Sequence, residues 1–365
     1  MSKPENISIK NQNFFAWRYE EQTKIKHLVL KNYFKVWVSK LGSKNNTLFF
    51  DCHGGCGVYI DNKENLSFGS SILAEQTAQA VNSKRESKNA VIVCEVKKEY
   101  FNNLKEVVKF ALPESKFNFI NEDFNKVVIN TKINSWYTKY PTLFFVDPFG
   151  FDLKIANLKN LLNSFGNELI INYMYDYINR FIELPDLENT ISDYYGCTTW
   201  KNALNLSRKE REEFLVKLYK TQIKEYTKAR YVFAYRLCYP DKDRTYYYLF
   251  HATNKIEGIS IMKSCFANIN NGRIEYLGKR SDEYTFFDLD PFIVGEVESF
   301  LLNKFKSISI SFDEIIEAII EDTAYLEPQL RQTIRSMEKT QKIKIDRVDS
   351  KNYGIKGKDI ITFGS

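Results

Sequence analysis

In the stretch "LFFDCHGGCGVY", Leu48 to Tyr59, one acid, two cysteines, a histidine and three glycines share a dozen positions. Two chemistries fit those residue types. Cys52, His53 and Cys56 could begin a metal or redox site. Asp51, Gly54, Gly55 and Gly57 could instead form a tight turn that lets the backbone approach a nucleotide cofactor without interference from Cβ atoms. Zinc sites usually join one close Cys-x-x-Cys pair to a second close pair. Here the spacing is one residue too long, Cys94, Cys197, Cys238 and Cys265 are scattered, and the other histidines are His27 and His251. The turn is the reading carried forward, with no metal expected.

Acids recur where apolar runs end. The runs 47–51, 90–95, 117–121, 142–147 and 168–174 are short and nearly continuous, as in strands buried on both faces, and helical patterns separate them. That alternation predicts an α/β fold with a doubly wound, Rossmann-like parallel sheet, whose ligands bind beyond the carboxyl ends of the strands. Asp51, Glu95, Asp123 and Asp147 stand at or just past those ends. Any one of them could simply cap the next helix; their recurrence points to a cleft. A helix starting near Ser70 would turn its positive end toward the glycine turn. Glu95 stands where such folds place an acid for ribose hydroxyls, farther on than the usual ~20 residues because the "GVYIDNKENLSFGSS" loop intervenes.

The "DPFG" at 147–150 is similar to the Asp-Pro-Pro-aromatic loops of enzymes that methylate an exocyclic amine. In that chemistry Asp147 would hold the amino group, Pro148 would shape the loop and Phe149 would stack on a base. One proline is missing and the aromatic comes one position early; a plain strand-end turn is the competing account. Asp176, Asn179, Arg180, His251, Thr253 and Asn254 follow further apolar runs and could line the same cleft, or serve as caps and surface polars.

Around these residues the chain reads as follows. Phe14 to Leu41 carries a helical apolar stripe, and residues from about 175 to 228 are amphipathic and helical. "RYVFAYRLCYP" and "RTYYYLFHAT", joined by "DKDR", predict a late β-hairpin at the sheet edge. From Gly295 onward three short helical patterns precede two strands flanking a Gly/Lys-rich loop, which predicts a winged helix. The expected domains are therefore 1–294, Rossmann-like with a helical part at 1–45, and 295–365, a winged helix-turn-helix.

Composition narrows the class. The 365 residues are 44% hydrophobic and 27% charged, a globular balance that excludes general disorder. No run of about 18 apolar residues exists, so no membrane span is expected, and nothing in the first residues resembles a cleavable leader. Unpaired cysteine spacing suits a reducing, cytoplasmic setting. The net charge is +6, and between Arg331 and Lys358 nine basic residues face three acids, an excess as large as the whole chain's. Contact with nucleic acid is expected there, through Arg331, Arg335, Lys339, Lys356 and Lys358.

Taken in order, "TKIKHLVLKNYF", "FFDCHGGCGVY" with "FGSSILA", "EVKKEYFNNL", "PTLFFVDPFGF", "LIINYMYDYINRF", "YYLFHATNKIEGISIMK" and "SFDEIIEAIIEDTAYLEPQLRQTIRSMEK" resemble the three-Cys-motif partner (TcmP) family over nearly the whole chain. The resemblance implies a methyltransferase-type domain with a C-terminal winged helix. It also implies S-adenosylmethionine as cofactor, DNA as the nucleic acid, and as partner a radical-S-adenosylmethionine-like protein that carries the three cysteines. On it, Asp51, Gly55 and Gly57 form the cofactor loop, Glu95 is the ribose acid, Asp123 lies near the adenine, and Asp147 to Gly150 face the transfer site. The family loop reads Asp-Gly-Phe-Ala-Gly-x-Gly, so Cys52 replaces a glycine and is expected to restrict the backbone. Two functions follow: a methyltransferase acting on or with nucleic acid, or a catalytically inactive methyltransferase-like scaffold that binds DNA in a mobile-element or defence system.

Overall fold

The computed structural model describes residues 4–9, 11–83, 85–239, 244–269, 291–349 and 354–364. In chain order these form β1 (Glu5–Ile9), β2 (Gln12–Arg18), α1 (Glu21–Leu41), β3 (Thr47–Asp51), β4 (Val58–Ile60), β5 (Leu66–Phe68), α2 (Ser70–Asn82), β6 (Asn89–Cys94), α3 (Lys98–Ala111) and β7 (Phe117–Ile120). Next come α4 (Phe124–Val127), α5 (Thr131–Lys139), β8 (Thr142–Val146), β9 (Glu168–Tyr173), α6 (Tyr175–Phe181), α7 (Glu188–Tyr195), α8 (Arg208–Thr227), β10 (Tyr231–Cys238) and β11 (Thr245–Thr253). The remainder comprises α9 (Ile256–Ile269), α10 (Pro291–Lys304), β12 (Ser309–Ser311), α11 (Phe312–Ile319), α12 (Glu327–Lys339), β13 (Ile343–Asp346) and β14 (Ile360–Phe363).

Seven strands form one sheet in the order β10-β11-β9-β8-β3-β6-β7. Strands β7, β6, β3, β8 and β9 are mutually parallel. β11 runs antiparallel between β9 and β10. The fold class is thus the expected one: a mixed α/β, Rossmann-like sheet with a late hairpin. The hairpin inserts its second strand inside its first; Asp241 to Asp243 of its turn lie outside the described residues. β3 and β8 are buried throughout, as their unbroken apolar runs require. One face carries the larger core, with Phe50, Phe144, Leu169, Ile171 and Tyr173 against the tyrosines of α7 and α8.

Two sequence expectations need correction in this part of the chain. Residues 14–18 are not helical: in β2 Phe14 and Ala16 are buried while Phe15 and Trp17 are less so, a period of two. The segment after the glycine turn is a hairpin, β4 and β5, rather than a loop. With β1 and β2 it builds a second sheet, β1-β2-β4-β5, packed on Ile72, Val93, Leu104 and Val107. The 1–45 part is therefore mixed strand and helix.

The chain divides into two compact units, with the break between Lys255 and Ile256. That is earlier than the division at 294/295 read from the sequence, because α9 groups with the second unit. Its Lys263 is buried and donates from Nζ to the Ile320 and Thr323 carbonyls, each at 2.7 Å, closing the C-terminal end of α11 where helix carbonyls lack partners. The unit has a three-stranded antiparallel sheet, β12-β14-β13, and β12 was not foreseen. Ser311 and Glu314 cap α11 reciprocally.

Candidate functional site

The order of strands reverses between β3 and β8, and a crevice opens beyond the carboxyl ends at such a switch point. Asp51 ends β3 and Asp147 follows β8, so both acids lie at that crevice. Glu95 follows the neighbouring β6.

Glu95 builds the glycine turn. Its Oε2 accepts the Gly55 N–H at 2.9 Å and its Oε1 accepts the Lys97 N–H at 2.8 Å. Burial raises its pKa, opposed by those two amides. Gly55 and Gly57 adopt φ of +59° and +78°, the left-handed region that side chains disfavour. At Gly57 a Cβ would also lie 2.5 Å from Leu104 Cδ1. Cys52, where the TcmP loop has glycine, imposes no such demand: its φ is not positive, and its N–H donates to the Phe145 carbonyl at 2.9 Å just past the end of β3. The restriction expected from Cys52 is absent because its backbone needs no left-handed conformation and still pairs with β8 just past the end of β3.

Asp51 is fully buried. Ser70 Oγ donates to its Oδ2 at 2.5 Å and the His53 N–H to its Oδ1 at 3.3 Å. Burial pushes its pKa up to about 7, with the charges of Asp147 and Glu95 adding to the rise and the two donors opposing it. Asp147 goes the other way. Burial alone would raise it, but the Lys26 ammonium on Oδ2, Asn172 Nδ2 donating to Oδ1 at 2.6 Å, and His53 together hold it below the usual carboxylate range. Two neighbouring acids thus have separated proton affinities, a pattern found at functional sites.

Asp123 does cap a helix, as the plainer account allowed. Its Oδ1 accepts the Asn125 N–H at 2.9 Å at the start of α4. It also faces the crevice closely enough for its charge to act on His53. Pro148 is buried, whereas Phe149 is 46% exposed and packs edge-to-face with Tyr177 at 5.4 Å between ring centres.

The cysteines next to the crevice, Cys52, Cys56 and Cys94, are buried thiols. All six are described and none is in a disulfide. Burial drives the Cys52 and Cys94 thiols up and Cys56 to about 12, far from the reactive range. Among the described residues no group of three or more His, Cys, Asp or Glu side chains is placed to hold a metal, and no helix is long and apolar enough to cross a membrane.

Other expected residues separate by topology. Asp176, after β9, stays at the crevice edge but is occupied by Arg180, Arg244 and Tyr239. His251, Thr253 and Asn254 are not in the crevice. β11 is antiparallel, so its end lies at the opposite edge, where His251 Nε2 is 2.8 Å from Glu168 at the start of β9. Tyr33 donates to the same carboxylate.

In the second unit, Arg331 is committed internally. It binds Glu327 and the Ile355 carbonyl, and its guanidinium lies 4.2 Å from the Phe312 ring centre. Lys356 pairs with Asp349 at 3.0 Å. Arg335, Lys339 and Lys358 are exposed. Arg335 and Lys339, one helical turn apart on α12, border a shallow groove with Gln332 and Ser336.

Sequence reasoning missed Lys26, Ser70, Asn172 and Val96. Asn172 had a signal, as the one polar residue inside the apolar "LIINY" run. Val96, directly after Glu95, is 60% exposed and offers an apolar ledge at the crevice.

No protein-family model matches the sequence, and no curated protein matches it. Solved structures do. LPL1258 from Legionella pneumophila is 12% identical, with 68% of this chain and 92% of that one covered at a TM-score of 0.40. Trm1 from Pyrococcus horikoshii, solved with S-adenosyl-L-methionine, is 11% identical, with 98% and 96% covered at 0.34. TYW2 from M. jannaschii, solved with AdoMet, is 10% identical, with 69% and 86% covered at 0.31.

Proposed function

We propose that this protein is an S-adenosylmethionine-dependent methyltransferase acting on an amino group of a nucleic acid. The observation that carries the reading is the convergence at one switch point of the Gly55–Gly57 turn held by Glu95, the buried Asp51, and the Asp147–Phe149 loop. The residues fit the cofactor. The α2 N-terminus and the turn would receive its amino-acid end, Glu95 the ribose, and Val96 with Asp123 the adenine. When bound, the cofactor supplies an electrophilic methyl. The chain's own work is placement: Asp147 accepts N–H bonds from the amine and Phe149 stacks on a base.

By the resemblance to the TcmP family, the second unit is a winged helix and the partner is a three-Cys-motif radical-S-adenosylmethionine-like protein; the exposed basic residues Arg335, Lys339 and Lys358 would meet DNA. The inactive-scaffold reading has one observation in its favour, since Lys26 and Asn172 occupy both Asp147 oxygens.

The deciding experiment is calorimetric titration with S-adenosylmethionine and S-adenosylhomocysteine. Saturable binding weakened in Glu95→Gln and lost in Glu95→Ala is expected; no heat from the folded wild type would overturn the reading in favour of the scaffold.

A further inference from the structure

Lys26 reaches the crevice from α1, which otherwise packs its apolar stripe on the sheet. Its side chain is 8% exposed and its ammonium binds Asp147. The Nζ atom is also 6.0 Å from the Phe145 ring centre and 5.9 Å from that of Tyr247. The carboxylate and the two rings together hold the Lys26 ammonium in the crevice. Asn172 completes the set. Its Nδ2 fixes the carboxylate, while its own Oδ1 is buried without a hydrogen-bond partner although the residue is only 4% exposed. Such an orphaned acceptor is costly unless something supplies a donor.

Resting on the methyltransferase reading, we propose that Asp147 and Asn172 form the methyl-acceptor subsite, built for an amino group, and that Lys26 is its internal occupant. With Asn172 Nδ2 committed to Asp147, what these two residues have left to offer is acceptors: the Asp147 oxygens and Asn172 Oδ1. An amino group brings two N–H donors and can satisfy one acceptor on each residue. A hydroxyl brings one, and would leave a buried acceptor unpaired, which sites of this kind reject strongly. Lys26 itself is a placeholder and not a substrate. In the ion pair its nitrogen is an ammonium with no lone pair to attack a methyl sulfonium. Its four-carbon stem can swing aside without moving α1, which Tyr247 anchors by donating to the Gln22 carbonyl. The incoming amine takes over the bond to Asp147.

The test uses the full chain and two probes: S-adenosylhomocysteine, and sinefungin, the cofactor analogue in which an aminated carbon replaces the methylated sulfur. The sinefungin amine competes with Lys26 for Asp147, whereas S-adenosylhomocysteine does not. In Lys26→Met, sinefungin should bind about tenfold more tightly relative to S-adenosylhomocysteine, about 1.4 kcal/mol. Lys26→Gln, which keeps a donor without the charge, should fall between, and keeps the test informative if the first variant unfolds. Adding Asp147→Asn should remove the gain. S-adenosylhomocysteine bound by all variants with an unchanged ratio overturns this inference and leaves the methyltransferase reading standing. Neither probe bound by the wild type overturns both. A methyl group found on Lys26 by peptide mass spectrometry after incubation with S-adenosylmethionine overturns the placeholder role.

Discussion

Replacing Asp51 with asparagine should make the first unit more stable at alkaline pH. Asparagine keeps the shape of the side chain: its carbonyl can accept the His53 N–H, and its amide can donate to Ser70 Oγ. What changes is the charge. Asp51 has a pKa of about 7 in the folded protein against an ordinary 3.8. Between those values the folded protein holds a proton that the unfolded chain has released, so unfolding is favoured as pH rises, and the slope ends above about 7. Raising a carboxyl by about three pH units corresponds to about 4 kcal/mol at about 1.4 kcal/mol per unit. About 3 kcal/mol of this should fall between pH 5 and pH 8, where the wild type loses it and Asp51→Asn does not. Glu95, His27 and His53 titrate in both proteins and cancel in the difference. All four tryptophans, Trp17, Trp37, Trp136 and Trp200, belong to the first unit, so denaturant unfolding followed by their fluorescence reads that unit alone. Stability curves for the two proteins that run parallel from pH 5 to pH 8 would refute the reasoning.

Other changes test other contacts. Gly57→Ala should cost about 2 kcal/mol or more, from the left-handed backbone and the collision with Leu104, and weaken S-adenosylhomocysteine binding; Leu104→Ala in the same chain should relieve only the collision, as thermal melts would show. Arg331→Ala should destabilise the second unit by about 1–2 kcal/mol, through loss of its hydrogen bonds and its ring contact, measured by hydrogen exchange of β14 amides. Arg335→Glu and Lys339→Glu should leave that exchange unchanged while reducing duplex-DNA binding and its salt dependence in fluorescence anisotropy. Glu168→Ala should cost about 3 kcal/mol, since Tyr33 and His251 both lose a buried partner, as tryptophan-monitored denaturation would report.

Much of the architecture could be read because the sheet's strands are buried on both faces, and "TLFFD", "AVIVCE" and "TLFFVD" leave no alternative period. Their closing acids located the crevice for the same reason. The order in which strands line up is set by long-range packing, so the insertion of β11 between β9 and β10 could not be read, and that reversal is what removed His251 from the crevice. β2 was mistaken for helix because "NFFAW" is apolar on both faces of its small sheet. Lys26 was invisible for a related reason: a lysine on a helix normally extends to solvent, and only the approach of α1 to Asp147 and Asn172 turns this one inward. Arg331 counted as surface charge until Phe312 and Ile355, distant in sequence, closed around it.

The inverted hairpin has a consequence for how the chain is made. On the ribosome, β3, β6, β7, β8 and β9 emerge before residue 245, and β9 then has a bare outer edge whose "LIINY" run offers unpaired amides and carbonyls. β10, already synthesised, is not its partner in the finished sheet; that position belongs to β11, which arrives later. Nascent chains that stall or are cut within 231–244 therefore display a sticky parallel edge, and a C-terminal truncation meant to isolate the first unit must keep Thr245–Thr253 to yield a protein that does not self-associate.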